Sequence, residues 1–225
     1  MEILQQENYR IIHLTDGKLI KDAVKLINAG RADGVNVNFV WNYIHHLNEM
    51  KSAPSTKYIS IRDYGPDFEL DYSAIYSLSK LESLSIYTSD RQEINYQHFP
   101  ILHSTALFWR PKAKSLYQCT SLETLFLGKY SEPDLTKLES LTNMTYLRIN
   151  TGSVKRLQGI EKLQNLTTLL LTQATRLEDL TGIEQLPNLR YLTIDNCRNI
   201  KNIQLLNEMS QTVNIKIQGT TPRLQ

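Results

Sequence analysis

The chain has few of the residues that cross-link or break up small folds. It carries two cysteines, nine glycines and seven prolines in 225 residues. That excludes a disulfide framework and a low-complexity Gly/Pro region. Charge of one sign is also missing, since 25 Lys and Arg stand against 23 Asp and Glu, interspersed along the chain. A polyanion binder concentrates basic residues on one face, so this balance argues against that class. No apolar run reaches the roughly 18 residues that a membrane-spanning helix needs. The start, Met1 to Glu7, lacks the basic region and apolar stretch of a secretion signal, so a cytoplasmic location is expected.

Catalytic signatures are absent as well. No nucleophile elbow, phosphate-binding glycine loop, dinucleotide fingerprint or His-Glu-x-x-His motif occurs. Gly30 to Gly34 reads as a turn. His45 and His46, adjacent on an expected helix, point about 100° apart and cannot face one ion. His98 and His103 have no cysteine nearby. No catalytic residue, metal or cofactor is expected, and the chain is read as not an enzyme.

One pattern is present five times. Leu122-x-x-Leu125-x-Leu127 is followed by Met144-x-x-Leu147-x-Ile149, Leu166-x-x-Leu169-x-Leu171, Leu189-x-x-Leu192-x-Ile194 and Thr212-x-x-Ile215-x-Ile217. Their middle anchors are 22, 22, 23 and 23 residues apart. Further anchors recur between them, as in Leu157, Ile160 and Leu163 and in Leu180, Ile183 and Leu186. A fixed period of this length around an L-x-x-L-x-L core resembles the leucine-rich repeat family. The stretches Leu157 to Leu166 and Leu180 to Leu189 are similar to its short bacterial, internalin-like class.

The resemblance implies an α/β fold: a leucine-rich repeat solenoid of about ten units, each adding one strand to a curved parallel β-sheet. Short 3₁₀ or helical segments then line the convex side towards the C-terminus. The family places Asn or Cys five residues after the middle anchor, where it bonds neighbouring backbone. Here those positions hold Tyr64, Ser89, Pro111, Tyr130, Gly152, Ala174, Cys197 and Thr220, so the bend has to be satisfied otherwise. Cys119 and Cys197 lie more than three units apart, roughly 15 Å at the strand spacing, and are expected to be free thiols.

Before the regular repeats, Thr56-x-x-Ile59-x-Ile61 and Leu81-x-x-Leu84-x-Ile86 extend the pattern. Ile12-His13-Leu14 and Val35-Asn36-Val37 continue the period into the N-terminus, with helices expected over Lys18 to Ala29 and Val40 to Met50. The domain division is residues 1–52, a helix-rich cap or divergent repeats; 53–219, the repeats; and 220–225, a polar tail. The segment Thr88 to Leu102 looks irregular, and the next unit is placed at His103-x-x-Ala106-x-Phe108.

Strand residues alternate faces. With the anchors inward, Tyr87, Leu107, Trp109, Phe126 and Tyr146 fall on the concave face. Such an aromatic group has the composition of an interface anchor. The expected partner-binding site is therefore Tyr87, Trp109, Phe126 and Tyr146, with Arg62, Arg148 and Asp195 on a polar rim. A different register in the irregular unit turns Leu107 and Trp109 into the core instead. The expected function is a non-enzymatic protein–protein interaction module binding a protein partner on its concave face, as in the bacterial adaptor or immunity-type proteins that such repeats resemble. It would be a monomer or a weak edge-mediated dimer with no membrane association. The alternative is a nucleic-acid-binding protein using basic C-terminal residues such as Lys155, Arg156, Arg190 and Lys201.

Overall fold

The computed structural model describes residues 2–6, 8–38, 44–62, 70–90 and 92–220. It comprises two compact units, Met1–Leu107 and Phe108–Gln225. The first contains β1 (Ile3–Gln6), β2 (Tyr9–Leu14), β3 (Gly34–Asn38), β4 (Tyr58–Arg62), β5 (Ser83–Tyr87) and nearly all of β6 (Ser104–Phe108). The second contains β7 (Thr124–Tyr130), β8 (Tyr146–Gly152), β9 (Thr168–Thr172), β10 (Tyr191–Asp195) and β11 (Asn214–Gln218). Within each unit, consecutive strands are neighbours in the sheet.

From β2 to β6 and from β7 to β11 the pairs are parallel, and the anchors stand in register: Ile12, Val35, Ile59 and Leu84 in the first unit, and Leu125, Leu147, Leu169, Leu192 and Ile215 in the second. The strands expected at Ile12–Leu14 and Val35–Val37 are present and pair in parallel. The expected helix after the first of them is α1 (Ile20–Asn28), which buries Ile20, Ala23 and Ile27. β1 has no counterpart in the sequence expectations. It pairs antiparallel with β2, Ile3 opposite Ile12, and covers an edge that would otherwise present unpaired backbone groups.

Apart from α1 and the last return, where Ile203 is part-exposed, the returning segments share one geometry. Their anchors recur every third residue and are buried, as in Leu157, Ile160, Leu163 and Leu166. Each anchor's N–H donates to the carbonyl of the anchor three before it, at 2.9 Å for all three links of that series. Three residues per turn is the 3₁₀ period, which eclipses side chains at i and i+3 and so aims every anchor at the core.

This geometry corrects two expectations. Val40 to Tyr43 lie outside the described residues, and the rest of the expected second helix, Ile44 to Met50, is not an α-helix. His46 bridges in parallel to Asp71, and a 3₁₀ turn over Asn48–Ser52 carries Met50 inward. Leu47, Met50 and Ala53 are spaced by three, which suits a 3₁₀ turn as well as an α-helix. The Thr88 to Leu102 segment is likewise an ordinary return. Tyr96, Phe99 and Leu102 are buried at the same spacing, with large aromatics where other units use leucine. Around them Glu93, Gln97 and His98 are exposed.

The bends after the second unit's strands replace the family's amide with backbone conformation. Lys129, Thr151, Gln173 and Asn196 have φ of 56, 59, 53 and 55°, each four residues after a middle anchor. Three of these N–H groups bond one repeat onward: Lys129 to Thr151 Oγ1, Gln173 to Asp195 O and Asn196 to Gln218 O. A left-handed non-glycine residue costs about 1–2 kcal/mol. Gln173→Gly is therefore expected to raise the unfolding free energy by about 0.5–1 kcal/mol, read from urea midpoints. Lys129→Gly should gain less, because the Lys129 ammonium sits 4.6 Å over the Phe108 ring.

An asparagine ladder does exist, but ahead of the strands. Asn143, Asn165 and Asn188 Nδ2 each donate at 2.9 Å to the carbonyl of a residue one unit earlier: Thr120, Thr142 and Gln164. The same side chains line a shallow polar groove of about 510 Å³ with Glu123, Thr145, Thr167 and Arg190. Cys119 and Cys197 are free and buried, and burial pushes both thiols above their ordinary pKa.

Candidate functional site

From β2 to β10 each strand turns its anchors to the core and the intervening side chains to the opposite, open face, whereas in β11 Ile215 is part-exposed and Ile217 exposed. On the first unit this face is largely filled by the chain itself. Tyr9, Ile11 and Tyr58 form a buried cluster there, with the two tyrosine rings 5.4 Å apart. Tyr9 OH donates to Glu82 Oε2 at 3.1 Å, and Gln6 Nε2 donates to Tyr58 OH at 3.1 Å. At the strand ends, Arg62 lies opposite Tyr87 in register, its guanidinium 5.3 Å from the ring centroid. This pair is two of the expected site residues brought together as a cation–π contact.

Strand β6 is registered one residue away from the expected position. Leu84 pairs with Thr105 and Ile86 with Leu107, not with Ala106 and Phe108. Because side chains alternate, this single step exchanges the two faces. Thr105 becomes the middle anchor, and its Oγ1 donates to Leu84 O at 2.7 Å while lying 3.2 Å from Tyr96 OH, so the buried hydroxyls are satisfied. Leu107 is fully buried.

Trp109 is accordingly not on the open face, which corrects its place in the expected site. It is 9% exposed and packs against Tyr117 at 5.2 Å and edge-on against Tyr130 at 5.4 Å. Burial pushes the Tyr117 hydroxyl up to about 12 and Tyr130 higher still, so both remain neutral. Phe108, missed as a surface residue by the sequence register, carries the Lys129 ammonium on its ring. The signal that finds this arrangement is Leu102-x-x-Thr105-x-Leu107, the same motif with threonine at its centre.

The second unit keeps its open face free. In register across it run Thr124, Tyr146, Thr168 and Tyr191; then Phe126, Arg148, Leu170, Thr193 and Lys216; then Asn150, Thr172 and Asp195. Phe126 and Tyr146 stack at 5.0 Å with their planes tilted by 35°, and both are half-buried. Partial burial raises the Tyr146 hydroxyl pKa, with Arg148 opposing. Tyr191 is 58% exposed, the most exposed large hydrophobic residue among those described. Asp195 Oδ1 accepts from Asn196 Nδ2 at 2.9 Å.

Arg148 stands beside the aromatic pair. Its Nε is buried with no acceptor, and Asn150 Oδ1, two residues along on the same face, is buried with no donor. Several cations of the nucleic-acid alternative are spent otherwise. Arg156 pairs with Asp134, Lys201 with Glu178, and Arg190 bonds the carbonyls of Pro187 and Leu189. Among the described residues no group of three or more His, Cys, Asp or Glu is placed to hold a metal, and no helix is long and apolar enough to cross a membrane.

One parallel strand per repeat, with 3₁₀ turns on the return and an open sheet, defines the leucine-rich repeat fold. An internalin (InlF) of Listeria monocytogenes superposes with a TM-score of 0.58 at 16% identity, over 89% of this chain and 71% of that one. A leucine-rich repeat protein of Leptospira interrogans gives 0.57 at 18% identity, over 87% of this chain and 56% of that one. The functional domain of InlJ from Listeria monocytogenes, which includes a cysteine ladder, gives 0.52 at 15%, over 89% and 56%. No family model matches the sequence, and no curated protein matches it.

Proposed function

We propose that this chain is a non-catalytic protein-interaction module that binds a protein partner on the open face of its second unit. Phe126, Tyr146 and Arg148 form the centre of that site, and Tyr191 and Asp195 its rim. The observation that carries the reading is the stacked, half-exposed Phe126–Tyr146 pair beside an arginine whose Nε has no acceptor. Exposed aromatic area costs stability in a monomer, and Tyr, Trp and Arg dominate interface energetics. A strand ladder holds these side chains in place before binding, which lowers the ordering cost of association. Arg62 and Tyr87 supply a second aromatic and cationic contact on the first unit.

The bacterial origin of the structural neighbours supports a bacterial adaptor or immunity-type role. Two free, buried thiols support a reducing compartment such as the cytoplasm.

Capture from a lysate of the source cell tests the reading, with wild type compared against a Phe126→Asp/Tyr146→Asp double variant. Wild type is expected to retain a protein that the double variant loses. Against that purified protein, Phe126→Ala and Tyr146→Ala should each weaken binding by more than about 1 kcal/mol while melting hardly changes. Retention of every captured protein by the double variant would remove the site from this face.

A further inference from the structure

We propose that the same face selects its partner through an Asp or Glu carboxylate seated on Arg148, within a protein segment that also places an apolar side chain against Phe126 and Tyr146. The inference rests on the reading that this face binds protein, and it names the chemistry bound.

The argument begins with what surrounds Arg148. Its register neighbours on β7 and β9 are Phe126 and Leu170, neither charged. No described carboxylate pairs with it, and its Nε is buried without an acceptor. Asp195, the acid on this face, lies on β10, two strands from β8, and its Oδ1 is taken by Asn196. A guanidinium donor withdrawn from water and left unbonded destabilises the free protein. Arg148 as a whole is part-exposed, so a partner's carboxylate meets the accessible part of the guanidinium and adds a charge-assisted bond there.

The rings decide the strength and the class. Aromatic cover excludes water around the pair and strengthens its electrostatics. Phosphate groups are recognised by clusters of arginines, whereas here one guanidinium stands among rings and aliphatic groups, which suits a single carboxylate. Asn150 Oδ1, buried and unbonded, lies two residues along the strand, roughly 7 Å away at the strand rise. That is too far for one carboxyl group to reach both.

Selection of peptides from a displayed random library on the full chain, followed by titration calorimetry, tests this. Selected peptides are expected to share an Asp or Glu near an aromatic or leucine. Changing that acid to its amide should weaken binding to wild type about tenfold or more. The same change should have no effect on binding to Arg148→Met, and Arg148→Lys should fall between, since it keeps the charge and loses the fork. Thermal melts confirm that each variant is folded. Peptides that require Phe126 but show no preference for an acid would overturn this proposal and leave the interaction face standing. Peptides indifferent to both Phe126 and Arg148 would overturn both readings, and selection of no peptide at all would count against the acidic segment.

Discussion

Gly152→Ala is expected to lower the unfolding free energy by about 3 kcal/mol or more, measured by urea denaturation. Gly152 has φ of +125° and sits opposite Tyr130 in the β7–β8 pairing. A Cβ built on it falls 2.3 Å from Tyr130 O and 2.9 Å from Tyr130 N. Both atoms are main chain, and Tyr130 O also accepts from Ser153 N at 2.7 Å. Relief therefore requires β7 and β8 to separate at the bend. Gly182→Ala provides the contrast: its φ is +105°, but the added Cβ meets only the side chains of Ile160 at 3.2 Å and Glu161 at 3.4 Å. Its cost should be confined to backbone strain and be clearly smaller. Equal losses at the two positions would mean that the Tyr130 contact is not fixed.

Leu147→Ala is expected to cost about 2–5 kcal/mol, the range for emptying a packed leucine site. Leu147 is fully buried, flanked in register by Leu125 and Leu169. In a repeat protein each unit is stabilised mainly by its immediate neighbours, so the cavity weakens both interfaces of the β8 repeat. At roughly 2–4 °C per kcal/mol for a chain of this size, the melting temperature should fall by about 5–20 °C. Leu170, one strand over and on the opposite face, is half-exposed. Leu170→Ala should cost less than about 1 kcal/mol. Reversal of that order would place the core on the other side of the sheet.

The repeat was legible because its anchors are spaced at fixed intervals, and alternation around those anchors placed Phe126, Tyr146 and Arg148 on the open face. The same rule misplaced Trp109, for a local reason. Ala106 and Phe108 look like better anchors than Thr105 and Leu107, and 22 residues from Leu84 is the period of the regular units. The structure instead buries a threonine, which is tolerable because its hydroxyl bonds Leu84 O. Counting threonine as an inward residue, as at the fully buried Thr56, recovers the register.

The second expected helix failed because Ile44, Leu47 and Met50, spaced by three, fit two periods equally over so short a stretch. β1 carried no signal, since all four of its residues are exposed and its role is edge pairing. The bends were legible only as an absence: the missing asparagine was visible, while the left-handed residue that replaces it has no consistent side chain.

Lys129, Gln173 and Asn196 take up an unfavourable backbone shape and bond forward, to the repeat made after them. Each corner is thus completed by its successor, and a nascent chain can lock a corner only once a further repeat's worth of residues has been added. Acquisition of structure along this ladder trails synthesis by one rung. Gly219, at the same place after β11, is a glycine with φ of 60°, the residue type that holds such a corner unaided.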